Sequence, residues 1–372
     1  MDYKAWADKV WDKAVVKLRA EAERNKNAIP YVPGEDGMYT DMMKKNPYWW
    51  TNGFWGGLMW LMYQGTKEDI FAEAARNSEE LLDTALTTYE RLDHDVGFLW
   101  HITAGVNYRL NGSEKSKWRA MTAASSLASR FNDRGRFIRA WNSEDRQGWA
   151  IIDCMMNIPL LYWASREIND GRFKYIAMAH ADSTMQNHVR PDGSVNHILV
   201  YDDVNGGVIK SLGGQGYDEN SAWSRGQAWG IYGFVLSYIH TGKKEYLDTA
   251  KKIANFFIAS VCDDYLPKSD LRAPEEPVIY DTTAGAIAAC GMLEIANALS
   301  ADEGRIYKNA AVKLLMTMEE KFCDWNPDKD SILQMGSEAY HVKGNPHKAI
   351  IYGDYYFIEA VYKLKNLGPL FW

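Results

Sequence analysis

Residues 148–164 read "GWAIIDCMMNIPLLYWA", a stretch with a single charged side chain, Asp153. A segment that is apolar on nearly every side predicts an inner helix covered by others. Its neighbours in sequence, 114–130 and 171–188, carry a charged face and predict outer helices. Carried outward from there, apolar periodicity and helix breakers predict helices over 3–25, 53–65, 67–89, 96–111, 114–130, 149–168, 171–188, 222–241, 243–260, 282–299, 302–321 and 351–366. The segments at 53–65, 96–111, 149–168, 222–241, 282–299 and 351–366 are rich in Gly, Ala and aromatics and poor in charge. The others are amphipathic. Six inner and six outer helices in alternation predict an all-α fold, an (α/α)6 barrel. No Pro/Gly/Ser-rich linker divides the chain, so residues 1–372 are expected to form one domain. Strand signals are few; "GSVNHILVYDD" (193–203) and "GGVIKSL" (206–212) predict a hairpin.

In an alternating barrel all inner helices start at the same end. The stretches that open them are "YWWTNGFWGG" (48–57), "LDHDVGFLW" (92–100), "QGWAIIDCMMN" (147–157), "NSAWSRGQAWG" (220–230), "IYDTTAGAIA" (279–288) and "IIYGDYYF" (350–357). Trp50, His94, Asp95, Asp153, Trp223, Arg225 and Thr282 are therefore expected to surround one cavity. That gives Asp153 a reason for its place, because an unpaired carboxylate buried elsewhere costs several kcal/mol or takes up a proton.

Composition narrows the function. The chain is 47% hydrophobic and 24% charged, a soluble globular balance. Its net charge of -7 is spread without a basic run, which argues against nucleic acid as a partner. No apolar run of membrane-spanning length and no signal-peptide pattern occurs, so a cytoplasmic protein is expected, monomeric or weakly dimeric. The cysteines, Cys154, Cys262, Cys290 and Cys323, are widely spaced and form no CxxC, as expected of free thiols in a reducing compartment. Trp, Tyr and Phe make up 13% of the chain, 15 of them Trp. Such rings fill cores, and they also offer flat apolar surfaces to the C–H faces of sugars.

Each candidate residue has a structural and a chemical reading. Asp153, near the start of its segment, could serve the helix dipole. Its apolar neighbours could equally raise its pKa and make it a general acid/base, with Pro159 kinking the helix behind it. Asp95, before Val-Gly, could be a turn or cap residue. As a second carboxylate in the same cleft it would push the two pKa values apart, one protonated and one ionised. His94 could be a donor beside it. Trp223, Arg225 and Trp229 lie on about two turns of helix. They read either as core plus a surface cation or as an aromatic floor whose guanidinium forks onto an anionic substrate. The eight histidines show no HxxxH or HxH spacing, so no metal is expected. "GGQG" (213–216) is too short for a phosphate loop.

Six stretches in order, "WTNGFW", "HDVGFLW", "IIDCMMNIPLL", "SAWSRGQAWGIYGF", "AGAIAACGMLEIA" and "YGDYYFIEA", resemble the unsaturated glucuronyl hydrolases, glycoside hydrolase family 88. The resemblance covers nearly the whole chain. It implies an (α/α)6 barrel without metal or organic cofactor, acting on lyase-generated oligosaccharides that end in a 4,5-unsaturated uronic acid. It implies Asp153 as the acid/base and Asp95 as the second essential carboxylate. It implies substrate contacts from Trp50, His94, Trp141, His197, Gln215, Trp223, Arg225 and Trp229. Asn52 stands where relatives carry Asp, which is expected to adjust hydrogen bonding near the mouth.

The implied chemistry is hydration of an enol ether: protonation at C4, water addition at C5, and collapse of the hemiketal. One carboxyl acts first as acid and then as base, so the carboxylate-separation rule of ordinary glycosidases does not apply. Two alternatives remain at this stage. One is an unsaturated rhamnogalacturonyl hydrolase acting on pectin fragments, and the other is a catalytically silent sugar-binding barrel. The loop "GSEAYHVKGNPHK" (336–348) carries Lys343 but also Glu338, Tyr340 and His341, so unsulfated substrates are expected to be preferred.

Overall fold

The computed structural model describes residues 3–88 and 91–372. Outer and inner helices alternate as expected. Outer α1 (Tyr3–Asn25) precedes inner α2 (Asn52–Thr66), and outer α3 (Asp69–Leu81) runs on into the short α4 (Asp83–Thr88). Inner α5 (Val96–Trp100) and α6 (Ala104–Asn111) lead to outer α7 (Glu114–Ser129). Inner α8 (Pro159–Glu167) pairs with outer α9 (Arg172–Asn187), inner α10 (Ser224–Thr241) with outer α11 (Lys244–Val261), and inner α12 (Thr282–Ala298) with outer α13 (Ala301–Phe322). Inner α14 (Ile351–Lys365) completes the ring by packing between α12 and α2. Residue 89, the expected end of the second outer helix, lies outside the described residues.

The inner helices are buried almost throughout. From Asn52 to Met62, α2 has no exposed position. The outer helices bury one face only, as α3 does with Phe71, Ala72, Ala74, Ala75 and Ser78. Side chains set the starts of several. Asp281 caps α12 by accepting from the Thr283 N–H. Ser300 caps α13, and its hydroxyl also meets the Glu303 carboxylate at 3.0 Å.

The expected helix over 149–168 is corrected. Its first part is strand β1 (Trp149–Ile151), followed by a 3-10 turn over Ile152–Met156, and α8 begins only at Pro159. The aromatic and β-branched residues here suit an extended edge, and β1 pairs with β2 (Ile198–Tyr201), which pairs in turn with β3 (Val208–Leu212). That second pair is the expected hairpin. Pro159 does not kink a helix; it opens one, where its missing N–H costs nothing. The helix over 96–111 is also interrupted. The Thr103 hydroxyl takes the Leu99 carbonyl at 2.5 Å, diverting an acceptor of the helical ladder.

The far end of the bore is filled by the segment after α14. Trp372, 2% exposed, stacks on Tyr356 with the ring planes 7° apart, and its indole N–H donates to Glu359 at 3.3 Å. It also meets the edge of Phe98, 6.1 Å away between centroids. Truncating a buried indole to a methyl removes this packing and leaves a cavity, so Trp372→Ala is expected to destabilise the fold by about 3–5 kcal/mol. Urea unfolding of the variant against the parent protein measures this as a lower midpoint.

Candidate active site

At the starts of the inner helices a cleft of about 460 Å³ opens. Trp50, His94, Asp95, Trp141, Asp153, Gln215 and Arg225, all singled out from sequence, line it. The cleft is drawn from loops before α2, α5, α8 and α10, the convergence that alternation predicts.

The two aspartates are joined by a residue that sequence reading passed over. Asn157 donates through Nδ2 to Asp95 Oδ1 at 3.2 Å and to the Asp153 carbonyl at 3.4 Å, and its Oδ1 accepts from the Phe98 N–H at 2.8 Å. One amide therefore ties the start of α5 to the 3-10 turn. The approach is close enough that a Cβ on Gly97 would lie 2.6 Å from Asn157 Cα. The "HDVGF" glycine is there for that contact.

Asp153 Oδ1 is buried and has no hydrogen-bond partner among the described residues. Burial, with the nearby Asp95 charge adding to it, pushes the Asp153 carboxyl up to about 7. Burial also holds Asp95 well above the usual carboxylate range, with Asp93 adding and the Asn157 hydrogen bond opposing. Burial thus raises both carboxyls, and the charge of Asp95 adds to the rise at Asp153. His94 Nδ1 donates to the Ala140 carbonyl at 3.0 Å, and burial lowers its pKa. Its Nε2, which makes no hydrogen bond among the described residues, lies 3.3 Å from Asp95 Oδ1. His197 does not line the cleft but flanks it, Nε2 lying 4.0 Å from Asp153 Oδ1. The Gln215 N–H donates to His197 Nδ1 at 3.0 Å, which leaves the ring hydrogen on Nε2, toward Asp153. The Gly213 carbonyl lies 3.1 Å from the same Nδ1, and the fixed backbone donor decides the tautomer. In "GGQG", Gly214 has φ +59° and its Cβ would fall 2.2 Å from His197 Nδ1, so the run is built to press on this ring.

Arg225 lines the cleft, but its fork is engaged within the protein. Nη1 donates to Asp281 at 2.6 Å and to the Ser337 carbonyl, and Nη2 to the Glu338 carbonyl at 2.8 Å. The expected free cation is thus half of a buried pair, 1% and 0% exposed. Trp223, Trp229 and Thr282 do not reach the cavity. Trp223 is sandwiched between His197, 4.1 Å between centroids, and the Arg225 guanidinium, 4.5 Å from its ring. Trp229 packs beneath Phe98 at 5.2 Å, and Thr282 bonds to the Gln334 carbonyl at 2.7 Å. Both tryptophans are a supporting layer: His197 and Arg225 cover the Trp223 ring at the start of α10, and Trp229 lies further down that helix. Trp50 stands on that layer, 5.5 Å from Phe98 and 4.9 Å from Tyr352. Trp141 packs edge-on to His94 at 5.8 Å. Asn52 lies behind the mouth, not in it, and donates to the Asn46 and Pro47 carbonyls at 3.1 and 3.2 Å.

Residues 33–238 match Glycosyl Hydrolase Family 88. The chain is 34% identical over 377 residues to the unsaturated glucuronyl hydrolase of Bacillus sp. (strain GL1), covering 98% of this chain and 99% of that protein. The chain belongs to glycoside hydrolase family 88. It is also 32% identical to the unsaturated chondroitin disaccharide hydrolase of Streptococcus pneumoniae (strain ATCC BAA-255 / R6), over 97% of this chain and 92% of that one. The solved structure of the unsaturated glucuronyl hydrolase from Streptococcus agalactiae superposes with a TM-score of 0.92 at 29% identity, over 99% of this chain and 94% of that one.

This family-88 cleft has further walls that sequence reading missed. Tyr48, Arg91 and Asp93 line it, and among the described residues Arg91 contacts the Tyr48 ring at 5.7 Å and no carboxylate. Asp93, His94 and Asp95 bring donor atoms within 4.8 Å of one another, which makes this wall the acidic one. All four cysteines are free, Cys154 and Cys290 buried as expected and Cys262 exposed. No helix among the described residues is long and apolar enough to cross a membrane.

Removing one partner of a buried ion pair strands the other charge. Asp281→Ala is therefore expected to lower stability by about 3–5 kcal/mol, read as a lower thermal midpoint. It is also expected to loosen the cleft wall, because the Asp281 carboxylate accepts from the Ser337 N–H at 3.3 Å as well as from Arg225.

Proposed function

We propose that this family-88 hydrolase removes the 4,5-unsaturated uronic acid from the non-reducing end of lyase-generated, glycosaminoglycan-like oligosaccharides. The observation that carries the reading is Asp153: a carboxyl poised near neutrality, one oxygen unpartnered, opening on an aromatic-walled cleft. The names of the Bacillus and Streptococcus relatives support the substrate class.

The unsaturated sugar is an enol ether, with the ring oxygen on C5. Asp153 gives its proton to C4, and positive charge develops at C5 and the ring oxygen. The Asp153 carboxylate left behind takes a proton from water as that water bonds to C5. The C5 hemiketal opens to a ketone and leaves C1 as a hemiacetal. Its collapse breaks the bond to the rest of the saccharide, and no glycosyl-enzyme bond forms. Asp95, held up by burial and hydrogen-bonded by Asn157, faces the sugar hydroxyls beside His94. Trp50 and Trp141 take the sugar's C–H faces. Gln215 and Arg225 form a further wall of the cleft, joined to Asp153 through His197, and Trp223 and Trp229 support that wall and the floor. With Arg225 neutralised by Asp281, the exposed Arg91 at the rim is the cation for the uronate. The free thiols fit a reducing, cytoplasmic setting.

Asn is nearly isosteric with Asp but delivers no proton. Asp153→Asn is expected to cut kcat by roughly a hundredfold to ten-thousandfold with an unchanged circular dichroism spectrum. Loss of the double bond's ultraviolet absorbance on an unsaturated chondroitin disaccharide measures this, and near-normal turnover would remove Asp153 from the mechanism. The same assay gives a pH test. The acid form of Asp153 prevails below its pKa, so kcat/KM is expected to fall as pH rises through about 7. A rate that climbs through that range would contradict the assignment.

A further inference from the structure

The wall that carries His94, Asp95 and Trp141 is built from two irregular segments, 91–95 and 139–142, neither of them in a helix or a strand. Arg130, half-buried, lies behind both and directly follows α7. Its Nε donates to the Arg139 carbonyl and its Nη2 to the Ala140 carbonyl, each at 2.9 Å. Its Nη1 donates to the Leu92 carbonyl at 3.2 Å and to Asn142 Oδ1 at 2.7 Å. Asn142 closes the ring by donating through Nδ2 to the same Leu92 carbonyl at 2.9 Å. One planar cation thus holds four acceptors on two segments.

A cation just past a helix C-terminus often serves that helix's last carbonyls. None of the four hydrogen bonds goes to α7. All four acceptors are neutral, and no ion pair among the described residues includes Arg130. Burial lowers its pKa; Asp93 opposes that fall, Arg139 adds to it, and Cys154 and Asp95 oppose it in turn. The charge is therefore spent on the wall and faces the acids on the wall's other side.

The hold passes to the chemistry through one carbonyl. Ala140 O accepts from Arg130 Nη2, from the His94 N–H at 3.3 Å and from His94 Nδ1 at 3.0 Å. A carbonyl only accepts, so Nδ1 carries a hydrogen. The ring then turns Nε2 toward Asp95 Oδ1, 3.3 Å away. Trp141, the next residue along, packs edge-on to the same ring.

We infer that Arg130 is a positioning residue for the reaction, its guanidinium locking the His94–Asp95 turn to the Trp141 segment so that both keep their places as charge develops at the sugar. The inference rests on the hydration reading above. A lysine would supply the charge but not the planar fork that reaches four acceptors. Arg130 also borders an open cavity of about 350 Å³, with Asn132, Arg139 and Gln147, that shares no lining residue with the catalytic cleft. A small planar cation can enter there once the side chain is cut back.

The experiment measures kcat and KM on an unsaturated chondroitin disaccharide for the parent protein, Arg130→Ala and Arg130→Lys, with circular dichroism to follow folding. Arg130→Ala is expected to lower kcat roughly thirty- to hundredfold while KM moves less than about threefold, the pattern of displaced groups that act in the transition state. Arg130→Lys is expected to lower kcat by about tenfold, because the fork is lost and the charge kept. Millimolar guanidinium chloride is expected to restore about tenfold of the lost kcat in Arg130→Ala, and sodium chloride at the same concentration none of it. Should Arg130→Ala not fold, the lysine variant, which keeps the charge and most of the stem, decides. A parent-like kcat in either variant, or a loss in folded Arg130→Ala that guanidinium does not restore, overturns the clamp and leaves the hydration chemistry standing. Absence of turnover by the parent protein overturns the hydration reading and the clamp's role with it.

Discussion

The site depends on one side-chain amide. Asn157 holds Asp95 through Nδ2, reaches the Asp153 carbonyl with the same nitrogen, and accepts the Phe98 N–H in the first turn of α5 through Oδ1. Neither aspartate belongs to a long helix. One precedes the five-residue α5 and the other sits in a 3-10 turn, so helical hydrogen bonding alone would not fix their spacing. An amide can both donate and accept, which a carboxylate or a hydrocarbon at 157 could not do for an acid on one side and a backbone N–H on the other. Gly97 lets the two segments approach closely enough for it.

Beneath that tie the packing converts a ring of helices into a rigid floor. Trp372 enters from the far end and touches Phe98, Phe98 supports Trp50, and Trp50 forms the cleft surface. Burial has an electrostatic effect too. The apolar floor is what desolvates Asp153 and Asp95, so the aromatic residues act on the acids through the dielectric as well as through contact. The Arg225 charge, paired with Asp281, pulls the Asp153 carboxyl down, and desolvation outweighs that pull.

How much of this was legible in the sequence follows from the physics of each element. Long helices with one charged face, such as α3 and α11, advertise themselves by period, and the alternation with apolar helices implied the barrel and its common mouth. Five of the candidate residues, Trp50, His94, Asp95, Asp153 and Arg225, converge on the cleft because helix starts are readable from Gly, aromatics and caps, whereas Trp141 and Gln215 came only from the family resemblance. Residues 149–158 misled, because an uncharged run has no period to separate strand, turn and helix. Pro159 was the available signal, since it favours the first turn over the interior. The Arg225–Asp281 pair joins residues 56 apart across the barrel, so no local pattern shows that the guanidinium is engaged. Trp223 and Trp229 differ from expectation for two reasons: their spacing shows neither that His197 and Arg225 cover the first ring nor that the second lies below the end of the cleft. Asn157 gave no signal of its own.

The loop over 336–341 is held by its main chain. Arg225 takes the Ser337 and Glu338 carbonyls, Gln215 takes the Glu338 carbonyl, and the Gln215 carbonyl takes the Tyr340 N–H. Peptide groups are common to every residue, so this grip does not depend on which side chains the loop displays. The side chains of this loop can therefore be exchanged without loosening the wall that Arg225 and Gln215 anchor. A barrel built this way leaves the display on its rim free to drift while the tie between the two aspartates and the floor beneath them stay as they are.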